Sequence, residues 1–98
     1  MVRYGRNKKN NRNSVLFTFR SAGGLVFFGL SRCSEGDTFD RARGLDIAKG
    51  RADKVFARAE AGDSVVGQAA DLQRDTTAGF VSVTEVPLLL NWFRSLNK

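Results

Sequence analysis

A chain of 98 residues has room for one domain and one modest core, because at this length folding buries well under three quarters of the unfolded surface. Apolar residues at 42% and aromatics at 10% make a globular composition, while a single cysteine and no histidine exclude disulfides within the chain and the usual Cys/His metal sites. The formal charge of +6 is unevenly spread: residues 1 to 13 hold Arg3, Arg6, Lys8, Lys9 and Arg12 with no acid, which leaves eleven basic against ten acidic residues for the rest.

Residues 5 to 13, Gly-Arg-Asn-Lys-Lys-Asn-Asn-Arg-Asn, contain no apolar side chain to offset the entropy lost on ordering. A disordered basic arm over residues 1 to 13 and a single domain over 14 to 98 are therefore expected. Such an arm suits phosphate backbones, where Lys and Arg release counterions without needing fixed geometry, and it equally suits a solubilising tail.

Order is expected from Val15, where Val15, Phe17 and Phe19 alternate with Leu16, Thr18 and Arg20 in the period of a strand. Ser21-Ala22-Gly23-Gly24 then reads as a tight turn and Leu25 to Ser31 as the returning strand of a β-hairpin. Apolar side chains on both faces, among them Phe17, Phe19, Phe27 and Phe28, demand cover on both sides. These rings read as core and not as a base-stacking platform.

From Ser34 the period becomes helical, with Ser34 or Asp37 as N-cap and Gly62 at the C-terminal end, which predicts a helix over about 38 to 61. Leu45, Ala48, Ala52, Val55, Phe56 and Ala59 share its apolar face. Gly44 and Gly50 in its interior point to a kink or to close contact with another backbone. The opposite side carries Arg43, Arg51, Lys54 and Arg58 with Ile47 among them, either as a solvated face paired with Asp40, Asp46 and Asp53 or as a surface for a polyanion. Ser64 to Leu72 suggests a short helix, and Phe80 to Val86 a third strand ended by Pro87. Leu89, Trp92, Phe93 and Leu96 recur at helical spacing, which predicts a closing helix that either completes the core or forms a dimer or partner interface.

The expected architecture is α+β: a three-stranded antiparallel sheet, made of the hairpin and a later strand, packed by one long helix and a short C-terminal helix. The lack of an apolar leader and the shortness of the runs Leu25 to Leu30 and Val86 to Leu90 predict a soluble, cytoplasmic protein without a membrane partner. Without histidine, with Cys33 lacking a partner base and with no phosphate-loop motif, no enzymatic activity and no cofactor are expected.

Between Arg32 and Ala52, the residues Cys33-Ser34, Asp37, Phe39, Arg41, Gly44, Ile47-Ala48 and Gly50-Arg51-Ala52 resemble a pattern found in small, largely uncharacterised phage-encoded proteins, where it likewise follows two short hydrophobic strands. The resemblance implies a viral or mobile-element origin and a role in the host cytoplasm, and it brings no catalytic residue. Two functions fit: DNA or RNA binding through Arg3, Arg6, Lys8, Lys9 and Arg12, helped by Arg43, Ile47, Arg51, Lys54 and Arg58, or inhibition of a host defence protein in the manner of an anti-CRISPR. Leu89, Trp92, Phe93 and Leu96 are the candidate protein interface, for a host partner or a second copy.

Overall fold

The computed structural model describes residues 1–6, 9, 12–33, 38–62, 67 and 69–96. It is α+β, with an antiparallel sheet of four strands: β1 (Val2–Arg6), β2 (Arg12–Arg20), β3 (Leu25–Arg32) and β4 (Ala78–Ser82), in that spatial order. Two helices accompany it, α1 (Arg41–Glu60) and α2 (Val86–Ser95).

β2 and β3 form the predicted hairpin, paired from Ser14↔Arg32 to Arg20↔Val26. Its turn closes through Ser21 N–H to Leu25 O at 2.8 Å and Gly24 N–H to Ser21 O at 3.2 Å. Gly24 takes φ +78°, a left-handed conformation that a side chain would strain.

The period of two divides the hairpin between two cores. On one face Leu16, Val26, Phe28 and Leu30, joined by Val81 of β4, pack against Leu89, Phe93 and Leu96 of α2. Leu16, Phe28, Leu30 and Leu89 are fully buried, each contributing roughly 2 kcal/mol by removal from water. On the other face α1 crosses β3 at Gly29, laying Ala48 and Ala52 against the strand. The rings of Phe19 and Phe27 meet Phe56 of α1 at 5.5 and 5.0 Å. The chain itself therefore covers both faces that the hairpin pattern exposes.

Four sequence expectations need correction. The sheet has four strands because Val2–Arg6, expected within a disordered arm, pairs with β2. The chain start is pinned there by Met1 N to Thr18 O at 2.8 Å and Thr18 N–H to Met1 O at 2.9 Å. The long helix starts later than expected: its N-cap is Asp40, whose carboxylate accepts from Arg43 N–H at 3.1 Å, whereas Ser34 and Asp37 lie outside the described residues. The last strand stops at Ser82, since Val83–Glu85 winds into a 3-10 turn. There the Ser82-x-x-Glu85 capping box outcompetes the β-branched alternation. The helix expected over residues 64 to 72 appears only as a 3-10 turn at Ala69–Asp71, its earlier residues falling largely outside the described set.

Glu85 holds this last connection together, accepting from Ala69 N–H at 3.0 Å, Ser82 N–H at 3.4 Å and Ser82 Oγ at 3.2 Å. These bonds, that from Ala69 foremost, keep its carboxyl below the ordinary glutamate range. At the other end of α2, Arg32 Nη2 donates to Leu96 O at 3.1 Å and ties the helix terminus to β3.

A Cβ at Gly29 would collide with the carbonyl oxygen of Ala48 and come within 2.7 Å of Ala52 N. Neither is a side chain that can swing away. Gly29→Ala should therefore lower unfolding stability by more than about 3 kcal/mol in a urea titration. A loss within about 0.5 kcal/mol would show that α1 does not rest on this strand.

Candidate nucleic-acid interface

The sequence places its densest positive charge near the chain start, and the structure fixes part of it on an edge strand. β1 pairs only with β2 among the described residues, so its outer backbone edge faces away from the sheet. Two arginines, Arg3 and Arg6, are exposed along it. Between Gly5↔Ser14 and Arg6↔Arg12 the register slips by one residue, leaving Asn13 as a bulge on β2. The slip reverses the facing of Arg12 relative to the regular alternation and brings it to the side of Tyr4.

Tyr4 organises what surrounds it. The guanidinium carbon of Arg12 lies 5.1 Å from its ring centroid and that of Arg41 5.2 Å, while Phe39 meets the ring edge-on at 6.5 Å. Arg41 reaches this position because Asp40 caps α1 and makes Arg41 the helix's first residue. A guanidinium stacked on a ring keeps its N–H fork in the plane and therefore turned outward, pre-oriented for an oxyanion.

Between β1 and α2, Arg3, Arg6 and Arg94 line a groove of about 280 Å³ together with Tyr4, Gly5, Leu90 and Phe93. No carboxylate lines this groove among the described residues. Arg94 sits in the last turn of α2, where a cation is favoured by the helix dipole. Five arginines from four elements thus gather around β1: Arg3 and Arg6 from β1, Arg12 from β2, Arg41 from α1 and Arg94 from α2. Planar guanidiniums with multiple donors are the side chains best suited to phosphate oxygens.

Of the residues singled out in the sequence, Arg3, Arg6 and Arg12 belong to this cluster. Lys9 is exposed and Lys8 lies outside the described residues. The helix stripe is not a uniform basic face. Arg51 Nη1 donates to Leu30 O at 2.6 Å, satisfying a β3 carbonyl beside the point where Leu30 N–H meets Thr77 O, so this exposed cation also ties α1 to the sheet. Arg43 and Ile47 line a separate recess with Asp40, Thr38 and Cys33, and Lys54 and Arg58 are exposed further along α1.

Leu89, Phe93 and Leu96 are 0%, 4% and 3% exposed, and Trp92 packs on Phe28 at 5.6 Å with Nε1 donating to Gln73 O at 3.0 Å. Leu89, Phe93 and Leu96 thus complete the core, while Trp92 is only half-buried. Arg41 and Arg94 are the cluster members that sequence reasoning missed. The Asp40-Arg41 pair at a helix start was the available signal for the first, whereas the second becomes visible only once β1 is known to run beside α2.

If Tyr4 orients Arg12 and Arg41, Tyr4→Leu should cost about 1–2 kcal/mol in urea unfolding, the sum of two exposed cation–π contacts at about 0.5–1 kcal/mol each. A change of a few tenths would mean that the ring does not hold them. Comparisons with protein-family models, with curated proteins and with solved structures gave no match, so the assignment of this site rests on its residues and geometry.

Proposed function

We propose that this chain is a small, non-enzymatic, phage-type binding protein of the host cytoplasm that contacts nucleic acid without reading sequence, through the arginine cluster around β1. The observation that carries this reading is the convergence of Arg3, Arg6, Arg12, Arg41 and Arg94 from four elements. Accumulating like charge at one edge costs energy in the folded protein, and a polyanion recovers it by releasing its condensed counterions. Contacts to phosphates give affinity and orientation and carry no base information.

The proposal differs from a flexible tail that sweeps up phosphates. Order in β1 fixes the arginines in place, so less entropy is lost when they bind. Docking on a host defence protein would instead call for a shape-complementary patch with aromatic anchors, and of the C-terminal side chains Leu89, Phe93 and Leu96 are buried and Trp92 is half-buried. A pull-down from bacterial lysate, with and without nuclease treatment, separates the two functions. Capture of nucleic acid that nuclease abolishes is expected, and a protein partner that survives nuclease would favour the inhibitor.

Truncation of residues 1 to 13 would remove β1 and confuse binding with folding, so charge substitutions are the cleaner test. Arg3 and Arg94 are exposed and stand on different elements. For the double variant Arg3→Gln/Arg94→Gln, the slope of log K against log salt should become shallower by about 2, since each lost phosphate contact removes about 0.9. Fluorescence anisotropy between about 50 and 200 mM salt reads this slope, and an unchanged slope would remove both residues from the interface.

A further inference from the structure

We propose that the groove between β1 and α2 takes the terminal phosphate of a nucleic-acid strand, a phosphomonoester at its 5′ or 3′ end, an inference that rests on the nucleic-acid reading above.

The groove differs in charge from the recess at the start of α1. That recess, of about 610 Å³, holds Arg32 and Arg43 but also Asp40, whose carboxylate opposes an anion. The groove, of about 280 Å³, joins Arg3 and Arg6 of β1 to Arg94 of α2, and no carboxylate lines it among the described residues. Arg94 stands in the last turn of α2, where the terminal carbonyls carry partial negative charge, and Arg32 Nη2 already donates to one of them, Leu96 O, at 3.1 Å.

A phosphate inside a strand is a diester with one charge and two unbridged oxygens. At a strand end it is a monoester, with about 1.5 to 2 charges at neutral pH and three acceptor oxygens. A guanidinium fork engages two acceptors at once, so arginines from two elements that share one groove match the end group and exceed what an internal phosphate offers. Size agrees with this. The groove lies just below the roughly 300 Å³ at which small-molecule sites begin, which suits one end group and not a length of strand. Tyr4, Leu90 and Phe93 supply apolar lining for the attached sugar.

The ligand chemistry gives the site a pH signature. The chain has no histidine, the side chain that ordinarily changes charge between about pH 5 and 8, and the charged groups lining the groove are arginines. The phosphomonoester loses its second proton near pH 6, and arginines beside it favour the dianion. Affinity gained from the end phosphate is therefore present above about pH 6 and lost as pH falls through that value.

The test measures the intact protein by fluorescence anisotropy against short, internally labelled, mixed-sequence DNA, single-stranded and duplex, with a 5′-phosphate, a 3′-phosphate or hydroxyls at both ends. At about pH 7.5 an end phosphate should tighten binding about tenfold, as one added charge-assisted hydrogen bond does, and at about pH 5 the gain should fall to about threefold or less. Arg94→Gln should abolish the gain. Arg41→Gln, which alters a residue stacked on Tyr4 and outside the groove lining, should weaken all forms alike and leave the gain in place. Equal affinity with and without an end phosphate, or a gain that survives Arg94→Gln or is indifferent to pH, overturns the inference and leaves nucleic-acid binding in place. A nucleoside monophosphate that competes as tightly as the phosphorylated strand assigns the groove to free nucleotides and overturns the strand-end assignment. Absence of binding to every form at low salt overturns this inference and the nucleic-acid reading together.

Discussion

The pairing of β1 with β2 is the interaction on which the proposed binding surface depends. It converts residues whose composition favours disorder into an edge strand and sets Arg3 and Arg6 in fixed register against Leu16 and Arg12. It places Tyr4 where arginines from β2 and α1 can stack on it and brings Arg3 beside Arg94 of α2. Without this pairing the same cations would be spread through a chain segment with no common geometry. The strand is held at its start by a reciprocal backbone pair between Met1 and Thr18, and along its length by the contact of Tyr4 with Phe39.

A second constraint makes the first available. The hairpin is apolar on both faces, so the sheet is stable only when both are covered, by α1 across Gly29 on one side and by α2 over Phe28 and Leu30 on the other. The two helices therefore end up on opposite sides of the sheet, and their arginines flank the β1 edge from both. Satisfying the core and building a two-sided cationic rim are consequences of one topology. Two other basic residues serve that topology directly, Arg51 by bonding a β3 carbonyl and Arg32 by bonding the C-terminal end of α2.

Much of the fold was legible in local pattern. Val15 to Phe19 and Leu25 to Ser31 alternate as strands do, Gly24 supplies the turn's left-handed residue, Gly62 with φ +85° follows the long helix, and Leu89, Phe93 and Leu96 mark the buried face of the last one. The capping box at Ser82 and Glu85 was present in the sequence too, yet the β-branched residues around it argued for a longer strand. What local pattern could not disclose is the ordering of β1, because its stabilisation comes from β2, Phe39 and Arg41, all distant in sequence. Part of the site was visible as the basic residues Arg3, Arg6 and Arg12. Arg94 was not, since a lone arginine at a helix end acquires meaning only from what tertiary structure brings next to it, and Arg41 was signalled only by its place after Asp40 at a helix start.

The most direct test of the account is amide hydrogen exchange along residues 2 to 6, resolved residue by residue by NMR. Met1 and Thr18 exchange a reciprocal pair of hydrogen bonds, so the antiparallel ladder directs the next bonded amides of β1, those of Arg3 and Gly5, toward β2 and those of Val2 and Tyr4 outward. The account predicts protection at Arg3 and Gly5 well above that at Val2 and Tyr4. Uniformly fast exchange over all of these residues would mean that the edge strand does not form, and the arginine cluster built on it would fall with it.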